Sequence, residues 1–497
     1  MKNLKYLSFA LIGLWSLTSC ESELDTAPTD QANSEEVFKT AENAETVING
    51  TWAKFNNDGT TYANLGYSTV LRASDAMGSD VAVLTNKYGF ASTYSFTEMV
   101  NNTVSRPLFI WSMLYSTINN MNNVIARIDG TEGSQEKKNQ VKGQAKALRA
   151  FCYLNIASFY QFSYLKDKTA LTAPIYTEPS STATGGKKKS SLEDIYTLIK
   201  SDLTDADQLL KDYTRNNKDK INRNVVNGIL ARVYLNTGEW SKASASAKIA
   251  KEGFTLMAPE KYKEGFNDIG NVEWIWGHAQ TQEQSDASYA FHYLDVSSSG
   301  SYYYSFMADP FFKDLFDTND IRSQLFSWDG LPAREGLLKY AKFKFKSTLI
   351  ADIVYMRAAE MYLIEAEAEA RNGNTTQAVT VLNQLRSARN ANVYSGSLAQ
   401  NEVVNEILIE RRKELFGEGF ALSDIIRTQG TVVRKPFVDA DGKPIKVQIT
   451  TPNGTVKTVD GRGHSVLDLP NKKPFTPNSN YYLFSIPQKE IENNPNL

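Results

Sequence analysis

The chain has 497 residues, 22% charged and 41% hydrophobic, with a formal net charge of −2. Fifty-four basic residues face 56 acidic ones without a dense basic cluster, so the surface offers little to nucleic acid. Two cysteines, Cys20 and Cys152, are too few for a disulfide framework, and the length is ample for more than one hydrophobic core.

Lys2 and Lys5 precede an apolar run at 6–17, and Leu-Thr-Ser-Cys closes it at 17–20. A basic end, a short apolar core and small residues before a cut make a secretory signal over 1–19. The run is shorter than the ~20 residues a spanning helix needs. The cysteine that follows makes it similar to a bacterial lipobox, cleaved before Cys20 with the thiol acylated, for example by palmitate. Residues 20–33 (Cys20, then Glu-Ser-Glu-Leu-Asp-Thr-Ala-Pro-Thr-Asp and onward) are acidic and polar, and read as a flexible tether.

Folded sequence begins near Ser34, an N-cap with Glu35 and Glu36 in the first turn. A helix over 41–55 follows, and 59–106 is loop-rich and aromatic. Pro107 opens a helix over 108–128 that carries Asn119, Asn120, Asn122 and Asn123. Asparagine is a poor helix former, so these side chains are expected to bond neighbouring loops. Cys152 lies in an apolar helix with nothing to lower its pKa, and reads as a buried structural thiol. Residues 165–190 are irregular, with Lys187, Lys188 and Lys189 at a solvated tip.

Ala231, Tyr234, Gly238, Ala243 and Ala250 recur at one offset as Ala366, Glu369, Gly373, Ala378 and Leu385. A small residue, a turn glycine and another small residue at these intervals form the tetratricopeptide pattern. A partial third copy starts at Ala150 and Tyr153, its second helix delayed to 191–210. The hairpin over 355–385 turns at Asn372-Gly373-Asn374, and a further helix spans 402–416. Between the copies, 272–277 reads as a strand with Trp274 and Trp276 on one face. Residues 280–334 are aromatic without helical period. Past 427, Asp441-Gly442 and Asn453-Gly454 mark turns flanking strands at 445–450 and 455–459, and the C-terminal stretch reads as strand-like. The fold class is therefore mainly α, a tetratricopeptide-type helical-repeat scaffold with an irregular α+β ligand-binding lobe. The expected organisation is 34–270 with repeats and ligand-side loops, 271–345 irregular, 346–427 repeats, and 428–497 irregular again.

No catalytic constellation is present. His278, His292 and His464 are far apart and lack metal-ligand spacing, and there is no nucleophile elbow or phosphate loop. The glutamates at 360, 365, 367 and 369, and those at 406, 410, 414 and 418, could form a glycosidase pair. Each set, however, runs along a helix beside arginines and is better read as ion pairs. Asp439-Ala-Asp441-Gly442 lacks the remaining ligands of a calcium loop and reads as a turn. No catalytic residue, cofactor or metal is expected.

The lipobox, GQAKALRAFCYL (143–154), APIYTEP (173–179), LARVYLNTGEWSKA (230–243), MRAAEMYLIEAEA (356–368), LNQLRSARN (382–390), ILIERRKELFGEGFALSDIIR (407–427) and IPQKEIENNPNL (486–497) follow one another in an order that resembles the SusD-like (RagB/SusD) family. These are outer-membrane nutrient-binding lipoproteins of Bacteroidetes. After Phe159-Tyr160 the chain departs from the family's usual Gly-x-x-Pro element. The acidic residues behind Cys20 are similar to a surface-export signal of that phylum, and Asp25-Thr26-Ala27 to its O-glycosylation motif. The resemblance implies a lipid anchor on the outer membrane facing the exterior and a SusC-like TonB-dependent transporter as partner. The ligand is expected to be oligosaccharide, bound without catalysis, with peptide as the alternative.

Sugar rings stack on aromatic planes while polar side chains satisfy hydroxyls. The aromatic zones 60–106 and 286–334 supply both. From composition and loop context the candidates are Tyr88, Tyr94, Tyr293, Tyr303 and Trp328, with Arg72 and Asn101 as polar partners. Asp75, Asp80, Asn86, Asn102 and Asp329 form a wider polar set. The competing reading for any one aromatic is that it fills the core.

Overall fold

A computed structural model describes residues 34–181, 183–283, 286–297, 300–346 and 349–497. The signal, Cys20 and the tether lie outside the described residues. In chain order the main helices are α1 (Ala41–Asn57), α2 (Ser68–Ala76), α3 (Ser105–Arg127), α4 (Gln135–Phe159), α5 (Leu192–Leu209), α6 (Arg223–Thr237), α7 (Trp240–Ala250), α8 (Ala358–Arg371), α9 (Thr375–Ser387), α10 (Gln400–Leu415) and α11 (Ala421–Arg427). The main strands are β1 (Val81–Val83), β2 (Trp274–His278), β3 (Phe306–Ala308), β4 (Phe326–Trp328), β5 (Leu338–Tyr340), β6 (Ile353–Arg357), β7 (Lys446–Thr450) and β8 (Val456–Asp460).

The repeats stack as expected. α4 packs on α5, α6 on α7 and α8 on α9, while α5 meets α6 and α7 meets α8. The α6–α7 and α8–α9 hairpins turn at a glycine with positive φ, +77° at Gly238 and +90° at Gly373, a conformation that costs a residue with Cβ. Gly228 on α6 serves a different purpose: a Cβ there would stand 2.1 Å from Met356 Sδ, so the glycine lets strand β6 lie against the helix. Two of the four α3 asparagines bind loops as expected, while Asn120 donates to Thr51 on α1 and Asn123 to the Asn119 carbonyl of its own helix. Asn119 exchanges hydrogen bonds with the Ser180 backbone, and Asn122 donates to the Tyr176 and Glu178 carbonyls. Cys152 is fully buried, and burial pushes its thiol pKa up.

Three local expectations need correction. Helix α8 starts at Ala358, because Ile353–Arg357 is spent on β6, which pairs with β2. Trp274 and Trp276 do not share a face: the β2–β6 register shifts between Met356 and Arg357, and this bulge sends the two rings to different cores. Trp276 stacks on Trp52 at 4.9 Å in the helical core, and Trp274 packs in the lobe core. The C-terminal run is not a strand. Phe484 and Ser485 donate to the Phe159 and Met99 carbonyls as an extended strap, and residues Gln488–Asn493 are helical.

The lobe is a four-stranded antiparallel sheet in the order β1-β3-β5-β4. β1 comes from the N-terminal aromatic zone, β3 and β4 come from the second, and β5 follows it. Lobe and repeats meet at a buried ionic joint. Arg357 reaches Glu273 at 2.6 Å, Glu414 at 2.5 Å and Glu418 at 2.7 Å. Arg389 holds Glu273 and Glu414, each at 2.8 Å. Arg322 holds Asp320, Glu410 and Glu414 at 2.6–2.8 Å, and Lys342 holds Glu418 at 2.5 Å. Burial alone would raise the Glu414 carboxyl, but Arg389, Arg357 and Arg322 hold it well below the usual range. Glu410, raised by burial, is brought down to about 2 by Arg322, Lys413 and Arg386.

Two predictions follow from these groups. Arg357→Leu strands buried carboxylates and should cost ~3–5 kcal/mol in denaturant unfolding; a loss below 1 kcal/mol would show that the joint is not needed. The second concerns acid. Glu410 and Glu414 are held low, so their stabilisation is present above the unfolded glutamate pKa and is lost as pH falls. Burial also depresses His278 and His292 to about 4 and His464 to about 3, so these must charge on unfolding in acid. Asp75 and Asp309, raised to about 7 by burial, act in the opposite sense but are fewer. The urea midpoint should therefore fall from about pH 6, where the three histidines outweigh the two aspartates, to about pH 3, where the glutamates add to them, and a flat profile would contradict this account.

Candidate ligand-binding site

The β1–β3 pairing decides what the two aromatic zones can do together. Val81 pairs with Ala308 and Val83 with Phe306, and Leu84 N–H donates to the Ser305 carbonyl. The loop after β1 therefore stands beside the segment before β3, which brings Tyr88 to Tyr303 at a ring separation of 5.8 Å. Tyr303 also lies 6.3 Å from Tyr62, which stacks on Tyr289 at 4.2 Å and 18°. Beneath it Tyr293 stacks on Tyr303 at 4.8 Å and 11°. Tyr62, Tyr88 and Tyr302 are 49%, 52% and 60% exposed, so this side of the lobe presents phenol rings to solvent.

His292 shapes this surface from below. Its Nδ1 accepts from Tyr302 N–H at 3.1 Å, and its carbonyl accepts from Tyr304 N–H at 2.7 Å and Ser301 Oγ at 2.7 Å. With its pKa pushed down to about 4 by burial, the imidazole stays neutral and keeps that acceptor. Burial raises Tyr303, helped by Tyr62, Tyr88 and Tyr289, and raises Tyr289, helped by Tyr62. These phenols remain protonated, able both to donate and to accept. At the edge, Lys87 and Arg334 lie over the Tyr304 ring at 4.1 and 4.2 Å.

Of the residues singled out from sequence, the structure brings together Tyr88, Tyr303 and Tyr293. Tyr88 is exposed, Tyr303 half-buried, and Tyr293 is the buried support. Exposed Asn86 shares the Tyr88 loop. Tyr94 is fully buried, its hydroxyl bonded to His464 Nδ1 at 2.8 Å, with Arg434 over its ring. Arg72 is buried and donates to the Gly417 carbonyl. Asp75 accepts from Gly419 N–H, Asp80 pairs with Arg412, and Asp329 with Arg334. Asn101 caps its own turn through Thr103, and Asn102 bonds Gln488. These groups are engaged in folding. Trp328 is half-buried on β4, at the opposite sheet edge from β1, against Phe437. Tyr62, Tyr289 and Tyr302 were not among the selected candidates, and no local spacing distinguishes them from core tyrosines.

The carboxylate series are ion-paired: Glu360 with Arg232, Glu365 with Lys251 and Glu367 with Arg371 and Arg427. Asp439 closes a turn by accepting from the backbone of Asp441 and Lys443. Among the described residues no cluster of His, Cys, Asp and Glu is arranged to hold a metal ion.

The elements define a tetratricopeptide-type solenoid with an irregular lobe. Residues 318–497 match the SusD family, and residues 24–235 match a family described as starch-binding and associating with the outer membrane. A SusD-like carbohydrate binding protein from Bacteroides vulgatus is 42% identical, with a TM-score of 0.87 over 92% of this chain and 97% of its own. A SusD superfamily protein from Bacteroides thetaiotaomicron, 23% identical, shares the fold at a TM-score of 0.76 over 92% of this chain and 98% of its own. A SusD-like protein of Formosa agariphila is 24% identical over 87% of this chain and 92% of its own. The chain belongs to the SusD-like family.

The division between core and surface tyrosines can be checked directly. Tyr94→Phe leaves His464 and the Ser465 N–H without their shared hydroxyl and should lower unfolding stability by ~1–3 kcal/mol. Tyr88→Phe, at an exposed ring, should change it by less than about 0.5 kcal/mol.

Proposed function

We propose that the tyrosine surface of Tyr62, Tyr88, Tyr289, Tyr302 and Tyr303 binds oligosaccharide, and that the protein passes it to a TonB-dependent transporter without chemistry. Cys20 supplies the lipid that holds the chain on the outer face of the outer membrane. The observation that carries this reading is the exposure of several neighbouring phenol rings on one side of the lobe, backed by the buried Tyr293. Such rings offer flat faces to sugar C–H groups, and their hydroxyls serve sugar hydroxyls in either direction. The carbohydrate-binding relative and the starch-binding, outer-membrane description of the matching family support the ligand class and the location. Paired carboxylates throughout the repeats support binding over hydrolysis, because each is committed to an arginine or lysine.

The test is a calorimetric titration of the full chain, in a detergent without a sugar head group, against panels of oligosaccharides and peptides. Released product is assayed in the same samples. At least one oligosaccharide should saturate without cleavage. Stacking on one aromatic is worth ~1–3 kcal/mol for nucleic-acid bases, and a comparable contribution here means Tyr303→Ala and Tyr88→Ala each weaken binding tenfold or more, ~1.4 kcal/mol. Peptide binding alone would replace oligosaccharide with peptide as the ligand, and cleavage would overturn the non-catalytic reading.

A further inference from the structure

The tyrosine surface carries its rings on loops, and one buried guanidinium ties two of those loops together. Arg106 is the second residue of α3 and is 3% exposed. Each of its three nitrogens has a partner. Nη1 donates to the Ala63 carbonyl at 2.9 Å, Nη2 to the Gly89 carbonyl at 2.7 Å, and Nε to Glu98 Oε2 at 2.9 Å. Ala63 directly follows Tyr62, and Gly89 directly follows Tyr88. A single planar group therefore fixes the distance between the backbones that carry Tyr62 and Tyr88, the two rings that each neighbour Tyr303.

The same contacts reach the buried ring beneath. Gly89 takes a φ of +129°, and a Cβ there would stand 2.4 Å from Tyr293 Cε1, so its backbone lies directly against that ring. Phe90 meets Tyr293 edge to face at 4.9 Å, and the Arg106 guanidinium lies 4.1 Å over the Phe90 ring. Glu98 holds the guanidinium in place and also accepts from Thr93 Oγ1, so the buried charge is compensated.

Neither loop carries much structure of its own. Tyr62 sits at the turn of a two-stranded hairpin, Gly59–Thr61 against Asn64–Leu65, whose first strand is exposed. Such a hairpin is marginal without further support. Residues 85–90 belong to no helix or strand. A shared anchor on α3 supplies what the loops lack.

We propose that Arg106 is a positioning residue for the tyrosine surface. By bonding the carbonyls next to Tyr62 and Tyr88 it sets how these rings stand relative to Tyr303, and hence which ligand they accommodate. This role rests on the tyrosine surface being the ligand site. Lysine cannot take it over, because one ammonium lacks the planar fork that spans two carbonyls and a carboxylate.

The first readout needs no ligand. The full chain is nitrated with tetranitromethane and each tyrosine is followed by peptide mass spectrometry. In Arg106→Lys the nitration of Tyr293 and Tyr303 should rise threefold or more. Asp202→Asn, which weakens the buried Arg149 pair in the repeats, should leave both rates unchanged. The second readout is calorimetric titration with maltohexaose, cellohexaose, xylohexaose and mannohexaose. Any of these that binds the unaltered chain should bind Arg106→Lys tenfold more weakly or worse, and Asp202→Asn equally well. Glu98→Gln, which loosens the guanidinium while leaving it present, serves should Arg106→Lys fail to fold, with smaller changes in the same directions. Unchanged nitration in the folded variant, or the same rise in Asp202→Asn, would overturn the positioning role. Raised nitration with undiminished affinity would overturn its bearing on the ligand. Should none of the four probes bind the unaltered chain, the oligosaccharide reading fails for them, and nitration alone decides the role of Arg106.

Discussion

The structure depends on a set of charges buried where the lobe meets the repeats. Arg322, Arg357 and Arg389 show no side-chain exposure, nor do Glu273, Glu410 and Glu414, and every guanidinium touches more than one carboxylate. Removing such ions from water is expensive, and only close, multiple pairing compensates. Glu410 and Glu414 stand one helical turn apart on α10, and the same helix continues into the turn that carries Glu418. The partners arrive from β6, from the end of α9 and from the lobe. No two of these elements can separate without exposing an unpaired charge to an apolar interior, so the joint specifies one relative placement of lobe and scaffold.

That placement matters because the exposed tyrosine surface is assembled from distant sequence. Tyr62 follows α1, Tyr88 follows β1, and Tyr289 and Tyr303 precede β3. They meet because β1 leaves the helical half and pairs with β3. Rings held by strand pairing and by the Tyr293 stack are already ordered before a ligand arrives, so little conformational freedom remains to be lost on binding. His292 contributes in the same way, as a neutral acceptor that fixes the Tyr302–Tyr304 backbone.

The scaffold was legible because its signals are local. Helical period, small residues and a glycine at the turn carry their own explanation, and Gly238 and Gly373 take positive φ where the pattern requires it. The site was only half legible. Tyr88 and Tyr94 lie six residues apart in the same zone, yet one is open to solvent and the other is sealed against His464. Nothing in their neighbours' identities decides this; the long-range strand pairing does. Arg72 and Asp75 are buried in bonds to the 417–419 turn for a related reason, since a charge in a loop-rich zone can equally be the buried bond that holds a loop. The Trp274–Trp276 placement has another source: a bulge breaks the period-two rule, and its one signal is Gly277, directly after Trp276 in the same strand.

Exposure and burial divide the work on the tyrosine side of the lobe. Tyr62, Tyr88 and Tyr302 are open, so water serves their hydroxyls and the rings stand ready at little cost. Tyr293 is fully buried and stacks on Tyr303, so the open rings rest on one that cannot move without disturbing the lobe core. His292, held neutral by burial, keeps its acceptor for the Tyr302 N–H across neutral pH, so the backbone that carries Tyr302 and Tyr303 holds its arrangement throughout that range.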